Sequence, residues 1–364
     1  MGDTVYKSSN IIIFMAELVN KEILMKQTFL ILLVFLSFAS YASGDTSSIS
    51  YSNIEFSQSP LDLGKINAKF AHDIPYDIYD QTKFDIWLPE SKKATGLYIF
   101  IHGGGFQNGD KSILYKNPKR NSNSTVTRLL SEGIAVATIN YRLLKSTGET
   151  KGVIKCLNDS KRALQYIRSR AADFNINKEK IVLAGSSAGA GTALWIALND
   201  DMKEPDSSDP VLRESTRVLG VAIRETQATY NIDKWFSDVF IDYKMSFKQA
   251  VQSPELVTSL KRFYGLSSIE EYNNETIQAY KAKVDMLALF TSDDPEIWAE
   301  NTKSNVAFPS SFGIMYHHAF HVREIKEKDD EVGVENVCYY GKDPIIYEDS
   351  SNESYIDFVL RILK

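Results

Sequence analysis

Short apolar runs alternate along the chain with stretches in which apolar residues recur every three or four positions. Such runs, bounded by turn-forming residues, predict buried strands. They are Leu97–Ile101, Ile134–Ile139, Lys180–Ala184, Leu219–Ile223, Asp285–Thr291 and Asn336–Tyr340. The helical periodicity predicts helices at Thr125–Glu132, Asp159–Phe174, Ala188–Leu198, Val322–Val332 and Ser354–Leu363. Strands that alternate with helices predict an α/β fold with a mostly parallel central sheet and helices on both faces.

Two segments depart from this alternation. Thr82–Leu88 places Phe84, Ile86 and Leu88 on one face, which predicts a half-buried antiparallel strand. Residues 233–283 are rich in Phe, Tyr and Trp and mostly helical in pattern. By its composition alone, such an insertion could be an extra surface subdomain with its own small core. We therefore expect residues 45–364 to form a single domain that carries an insertion at about 233–283.

The strand predicted at 180–184 runs directly into Gly185-Ser-Ser-Ala-Gly189. A G-x-S-x-G sequence between a strand and a helix is the layout of a nucleophile elbow, where a sharp turn exposes the serine hydroxyl. A serine attacks a carbonyl only when a base accepts its proton and a third group orients that base. Ser187 is thus a candidate nucleophile. The alternative is a glycine-rich turn that only packs tightly.

A second motif favours the catalytic interpretation. The strand at 97–101 ends in His102-Gly-Gly-Gly-Phe106, and the strand at 134–139 is followed by Asn140-Tyr-Arg-Leu143. An HGGG turn after a central strand is a known source of backbone N–H groups for an oxyanion. Together these motifs resemble the α/β-hydrolase superfamily, in particular its carboxylesterase and hormone-sensitive-lipase-like branch. The resemblance extends from about Thr82 to the C-terminus, and it implies that the insertion at about 233–283 forms a helical cap over the active site.

The resemblance implies roles for further residues. The oxyanion would be held by the backbone N–H groups of Gly104, Gly105 and Ala188. The acid of this branch follows a later strand, and Ser292-Asp-Asp-Pro295 occupies that place. Asp294 fits the D-P pattern of the branch, with Asp293 as the alternate. The two residues could also form only a turn, because Asp and Pro both favour turns.

The base is the gap in this pattern. The branch places a histidine after the last strand, and Gly341–Glu353 contains none. Elimination leaves the cluster Tyr316-His-His-Ala-Phe-His321, from which one imidazole is expected within about 4 Å of the Ser187 hydroxyl. His318 is the first choice and His321 the second. The alternatives are a satisfied buried histidine pair and, less favoured, a metal site; we predict no metal and no cofactor.

These features predict a serine hydrolase that cleaves a small-molecule or carbohydrate-linked carboxylic ester through an acyl-enzyme. The main alternative is a pseudo-hydrolase that has lost its base and serves as a binding protein, as in the plant gibberellin receptors that resemble the same branch. An exopeptidase of this fold is a third hypothesis. The net charge of −6 and the lack of a basic block exclude nucleic acid as a partner, and two cysteines cannot form a disulfide framework.

The N-terminus predicts export. Met25-Lys-Gln27 precedes the apolar run Thr28–Ala39, and Ser40-Tyr-Ala42 has small residues at the positions that a signal peptidase requires. We interpret residues 1–44 as a signal peptide preceded by a mis-called extension, with cleavage after Ala42 and a secreted or periplasmic product. The alternative is an uncleaved anchor, the one case in which a membrane would be a partner.

Overall fold

Nine strands form one mixed sheet in the order β1-β2-β4-β3-β5-β6-β7-β8-β9. The computed structural model describes residues 54–116, 122–244, 246–302, 312–343 and 345–364. The strands are β1 Ala68–Pro75, β2 Lys83–Pro89, β3 Thr95–Ile101, β4 Ala135–Ile139, β5 Ile176–Ser186, β6 Gly220–Arg224, β7 Glu296–Asn301, β8 Asn336–Lys342 and β9 Ile345–Glu348. Strands β3 to β8 run parallel, whereas β1, β2 and β9 add antiparallel pairs at the edges. The α/β fold class predicted from the sequence is confirmed.

Helices cover both faces of the sheet. They are α1 Ile113–Lys116, α2 Ser122–Ser131, α3 Val153–Ser169, α4 Ala188–Leu198, α5 Phe247–Ala250, α6 Pro254–Tyr264, α7 Glu275–Lys283, α8 Phe312–Tyr316, α9 Phe320–Val332 and α10 Tyr355–Leu363. Successive strand residues point to opposite faces. In β3, Leu97 and Ile99 therefore pack with α3 and α4, whereas Tyr98 and Phe100 pack with α2 and α10. The parallel strands are consequently buried on both sides, which explains their unbroken apolar sequence.

One strand prediction is wrong. Residues 285–291 do not join the sheet; they contain a short 3-10 turn at Met286–Ala288. Met286 and Leu287 are buried against the core, and a short apolar run does not distinguish a buried turn from a buried strand. The strand is Glu296–Asn301, which begins directly after Pro295. The strand thus begins about ten residues later than predicted. Asp293 and Asp294 therefore precede it instead of following it, and lie at the amino end of the parallel strands.

The chain between β6 and β7 contains a π-helical turn at Trp235–Val239, α5, α6 and α7. Within the described residues, no helix combines the length and apolarity that a membrane crossing needs. The predicted signal peptide, with its cleavage point after Ala42, lies outside the described residues.

Candidate active site

Ser187 sits at the sharp turn between β5 and α4. Its φ of 56° and ψ of −123° are a strained combination for a residue with a side chain. The flanking glycines contribute space, because a Cβ on Gly189 would lie 2.0 Å from the Ile101 carbonyl oxygen and one on Gly185 would lie 2.4 Å from the Gly189 carbonyl. The elbow thus packs directly on the end of β3, and the serine itself carries the strain.

The glycine-rich loop after β3 lies against this elbow. A Cβ on Gly103 would meet the Ser186 carbonyl oxygen at 2.5 Å and the Ser187 Cβ at 3.1 Å. Gly104 has a φ of +113° and leaves no room for a Cβ, which would lie 1.9 Å from the Asn108 carbonyl oxygen. Gly105 also has a positive φ, of +60°. The HGGG sequence is therefore required by the backbone course that brings the loop beside Ser187.

The N–H groups of Gly104, Gly105 and Ala188 are available to a ligand. Across the described parts of the chain, none of the three donates a hydrogen bond to another protein group. Ala188 is the first residue of α4, so its N–H has no partner within the helix. The two motifs thus bring three candidate oxyanion donors to one end of the sheet, as the family resemblance implies.

The imidazole that contacts Ser187 belongs to His317. Its Nε2 lies 2.7 Å from the serine Oγ, at hydrogen-bonding distance. His317 directly follows α8, and its own N–H donates to the Ile314 carbonyl at 3.3 Å. The side chain is 24% exposed, so a substrate can reach the pair. One histidine of the predicted cluster therefore does contact the serine, but it is neither of the two chosen from the sequence.

The carboxylate of Glu225 lies on the other side of this imidazole. Its Oε2 lies 3.9 Å from His317 Nδ1, an ionic contact longer than a hydrogen bond. Glu225 directly follows β6 and has a φ of 56°, unusual for glutamate. Its N–H donates to the Glu300 carbonyl at 2.9 Å, which fixes this strained residue at the carboxyl end of the sheet.

Two buried amides connect the loop of Glu225 with the loop of His317. Asn301, at the end of β7, accepts from Thr226 N–H at 2.8 Å and donates to the carbonyls of Thr226 at 2.9 Å and His318 at 3.0 Å. Gln227 donates to the Tyr316 carbonyl at 2.7 Å. The chain on both sides of His317 is thereby held against the chain that carries Glu225.

His318, the first choice from the sequence, faces away from Ser187. Its Nδ1 accepts from Phe320 N–H at 3.1 Å, so in the neutral ring Nε2 carries the proton and donates to the Tyr243 hydroxyl at 3.1 Å. The side chain is fully buried, and burial lowers its pKa to about 4. The prediction fails because both ring nitrogens of His318 are already occupied by protein groups.

His321, the second choice, is also occupied. Its Nδ1 accepts from Ala228 N–H at 3.2 Å, and its Nε2 donates to the Met315 carbonyl at 3.0 Å. Burial lowers its pKa to about 3, so the ring is neutral near pH 7. The alternative of a satisfied buried histidine pair therefore describes His318 and His321, whose bonds shape the loop that presents His317.

The predicted acids, Asp293 and Asp294, lie at the amino end of the parallel strands, opposite the end that carries Ser187. Asp294 comes two residues before Glu296, which pairs with Gly220 at the start of β6, whereas Ser186 pairs with Arg224 at the end of β6. Asp294 is therefore about six residues from Ser186 along the strand direction, which corresponds to roughly 20 Å. Asp294 accepts from Thr291 N–H at 2.7 Å. The same turn positions Asp293, which forms an ion pair with Arg217 at 2.9 Å. Both aspartates therefore serve the turn before β7.

An apolar cavity opens beside Ser187. It has about 620 Å³ of empty space, part of it open to solvent. Phe106 and Tyr230 line it from the body of the fold, whereas the insertion contributes Trp235 and, from α6, Leu256, Ser259, Leu260 and Phe263. Among the described residues, no group of three histidine, cysteine or acidic side chains is arranged to hold a metal ion.

Sequence reasoning missed Glu225, His317 and Asn301. Glu225 had one usable signal, because it directly follows a buried parallel strand, where catalytic side chains of open α/β sheets collect. His317 was in the cluster, but nothing in its sequence separates it from its neighbours. Asn301 was hidden because the strand that carries it was placed too early.

Comparison with known proteins places these observations in a family. A family model described as BD-FAE matches residues 84–287, more than half of the chain. Acetylcholinesterase-1 of Trittame loki is 28% identical over 126 residues, which cover 32% of this chain and 21% of that protein. The chain thus spans about a fifth of this curated relative.

Two solved structures share the fold. A truncated carbohydrate esterase from gut microbiota superposes with a TM-score of 0.51 at 18% identity, covering 75% of this chain and 86% of that one. A bifunctional GH43-CE protein of Bacteroides eggerthii superposes with a TM-score of 0.54 at 17% identity, covering 80% of this chain and 38% of that one.

Proposed function

The chain belongs to the BD-FAE family of α/β-hydrolase-like esterases, and on this premise we propose that it hydrolyses a carboxylic ester through an acyl-enzyme on Ser187. The observation that carries the proposal is the 2.7 Å contact between Ser187 Oγ and His317 Nε2. A neutral imidazole at this distance is placed to accept the serine proton. The hypothesis of a pseudo-hydrolase rested on a missing base, and this contact supplies a candidate for it.

The reaction begins when the Ser187 oxygen attacks the ester carbonyl and its proton passes to His317 Nε2. The negative charge that develops on the carbonyl oxygen is received by the N–H groups of Gly104, Gly105 and Ala188. Each such donor is worth about 3–4 kcal/mol in the transition state of a serine hydrolase. The imidazolium then gives its proton to the departing alkoxide, and water repeats the sequence to release the acid.

Glu225 acts on the imidazolium rather than on the substrate. At 3.9 Å from Nδ1 its carboxylate favours the charged ring through electrostatic attraction. Asn301 and Gln227 are positioning residues, because they fix the two loops that carry Glu225 and His317.

We propose a carbohydrate-linked ester as the substrate class. The comparison structure described as a carbohydrate esterase shares this fold, which supports the proposal. In this proposal residues 233–283 form the cap, because α6 lines the cavity beside Ser187.

We also propose that the protein is exported, because an apolar run precedes the cleavage sequence Ser40-Tyr-Ala42. N-terminal sequencing of the native protein tests this step, and a native chain beginning at Met1 would overturn it.

The test of the mechanism uses a fluorophosphonate, which reacts with an activated serine. We expect labelling of Ser187 in the wild-type protein, with mass spectrometry of the labelled peptide locating the adduct. Ser187→Ala should abolish labelling and the hydrolysis of 4-nitrophenyl acetate, and Ser186→Ala is the matched control. A label on Ser186, or full activity of Ser187→Ala, would overturn the proposal.

A further inference from the structure

A second cavity lies on the other side of helix α6. Thr258 and Lys261 of α6 line it, whereas Leu256, Ser259, Leu260 and Phe263 of the same helix line the cavity beside Ser187. This division follows from 3.6 residues per turn, which separates the two sets of positions around the helix. Arg262 lines both cavities, so the two cavities are neighbours that share this side chain.

The second cavity is polar and positively charged. It has about 810 Å³ of empty space, part of it open to solvent, and its cations are Lys145, Lys261 and Arg262. Five hydroxyl groups join them: Ser146, Thr147, Thr150, Thr258 and Ser267. The chain as a whole has a net charge of −6, so a cavity lined by three cations differs in sign from the overall charge of the protein.

Glu149, which also lines this cavity, is already used within the protein. Glu149 accepts from Lys155 Nζ at 2.6 Å and from the backbone N–H of Lys145 at 2.9 Å. A further bond from Lys151 N–H at 3.0 Å completes the arrangement, and the Glu149 side chain is only 5% exposed. Glu149 therefore folds its own loop and does not neutralise the cavity.

The three cations have no acidic partner in contact. Across the described residues, Lys145, Lys261 and Arg262 form no ion pair within 4.0 Å, although Glu270 lies within electrostatic range of Lys261. The Arg262 guanidinium donates to the Gln107 side chain, while its buried Nε has no hydrogen-bond partner. A buried donor without a partner is costly, so this arginine is suited to an acceptor that a ligand brings.

The walls of the cavity are fixed against each other. Gly265 ends α6 with a φ of +70°, and a Cβ there would lie 2.7 Å from the Thr150 carbonyl. A Cβ on Gly152 would lie 2.3 Å from the Phe263 carbonyl oxygen. The loop at 145–152 and the end of α6 therefore touch through their backbones, so the backbone positions that carry the cations are fixed relative to each other before any ligand arrives.

We propose that this cavity is a subsite for an anionic carbohydrate, which binds a uronate carboxylate of the substrate while its ester lies at Ser187. Lysine and arginine form charge-assisted hydrogen bonds with a carboxylate. The surrounding serine and threonine hydroxyls match the hydroxyls of a sugar, whereas an aliphatic chain would leave them unpaired. The inference rests on the proposed esterase function and adds to it the charge of the substrate.

The test compares acetylated trigalacturonate with the same acetylated trisaccharide after its carboxyl groups have been reduced to alcohols. We expect the wild-type enzyme to have a higher kcat/KM on the uronate, through KM. The double variant Lys145→Gln/Lys261→Gln should lose roughly tenfold in kcat/KM on the uronate and less than threefold on the reduced trisaccharide. Lys248→Gln, an exposed lysine on α5 that lines neither cavity, is the matched control. Equal losses on both substrates would overturn the inference.

Binding to Ser187→Ala separates this inference from the proposed function. Calorimetry should give a lower Kd for unacetylated trigalacturonate than for its reduced counterpart, a difference that added NaCl diminishes. Equal Kd values would overturn the subsite whether or not the enzyme turns over. Inorganic phosphate is tested in the same way. If phosphate bound, but trigalacturonate bound no more tightly than its reduced counterpart, the cavity would be assigned to a free anion. This result would also overturn the inference. Failure of the wild-type protein to cleave 4-nitrophenyl acetate would instead refute the proposed function.

Discussion

Acidic side chains lie at both ends of the parallel strands, with different consequences. At the carboxyl end, Ser187, Glu225 and His317 are partly exposed, and His317 contacts each of the other two. At the opposite end, Asp294 and Asp329 are buried, and among the described residues neither Asp329 oxygen nor Asp294 Oδ1 has a hydrogen-bond partner. Burial of a carboxyl group therefore does not identify the catalytic acid; its position relative to the direction of the strands does.

The largest expected effect is at the carboxyl end. His317→Ala should lower kcat on 4-nitrophenyl acetate by about 10⁴-fold or more, because the serine proton loses its acceptor. His318→Gln is the matched control: it keeps an N–H for Tyr243 and should retain most of the activity. Steady-state kinetics on both folded variants is the measurement. An inactive, folded His318→Gln protein beside an active His317→Ala protein would reverse the assignment.

At the carboxyl end of the sheet, the sequence predicted the parts that backbone geometry requires, which are the nucleophile elbow and the glycine-rich loop. Gly103 and Gly104 are required because no Cβ fits where the loop meets the elbow, and such requirements leave a motif. The candidate base, His317, is not marked by such a motif. His317 and His318 are neighbours, and the choice between them is made by the hydrogen bonds that His318 forms with Phe320, Tyr243 and Asn301, which lie in three separate elements. Contacts between distant residues decide the role, and a single sequence does not record them.

The glycine loop offers the next largest effect. Gly104→Ala should lower kcat by about 10²–10³-fold, since a Cβ 1.9 Å from the Asn108 carbonyl oxygen displaces the N–H from the oxyanion. Gly105→Ala is the matched change, because its Cβ would meet no atom closer than 4.0 Å. We expect it to cost less than about tenfold, the strain of a positive φ being modest. Equal losses in the two variants would contradict the assigned geometry of the loop.

The two ends can be compared directly through their acids. Glu225→Gln should lower kcat by about 10- to 100-fold, or 1.4–2.7 kcal/mol, because the imidazolium loses a charge at 3.9 Å. Asp294→Asn should leave kcat within about threefold, since the site lies roughly 20 Å away along the strands. Kinetics with 4-nitrophenyl acetate decides the matter. A larger loss in Asp294→Asn than in Glu225→Gln would restore the assignment made from the sequence.

The smallest effect concerns the opposite end and changes stability rather than catalysis. Burial raises the pKa of Asp329 to about 8, and the nearby Asp294 carboxylate adds to the shift. The folded protein thus holds a proton that the unfolded chain releases near pH 4. The stability associated with neutral Asp329 is complete below about pH 4 and is lost as the pH rises towards 8, with a slope of about 1.4 kcal/mol per pH unit.

Asp329→Asn replaces the neutral acid by a group of the same shape that does not titrate, so it should remove this slope. The difference in free energy of unfolding between variant and wild type should grow in favour of the variant by about 1–2 kcal/mol from pH 6.5 to 8. The buried His318 and His321 do not disturb the comparison, because their contribution is the same in both proteins and cancels. Urea unfolding at several pH values measures the difference, and kcat should not change. A difference that is independent of pH would show that Asp329 is ionised in the folded protein, and would remove the contrast between the two ends of the sheet.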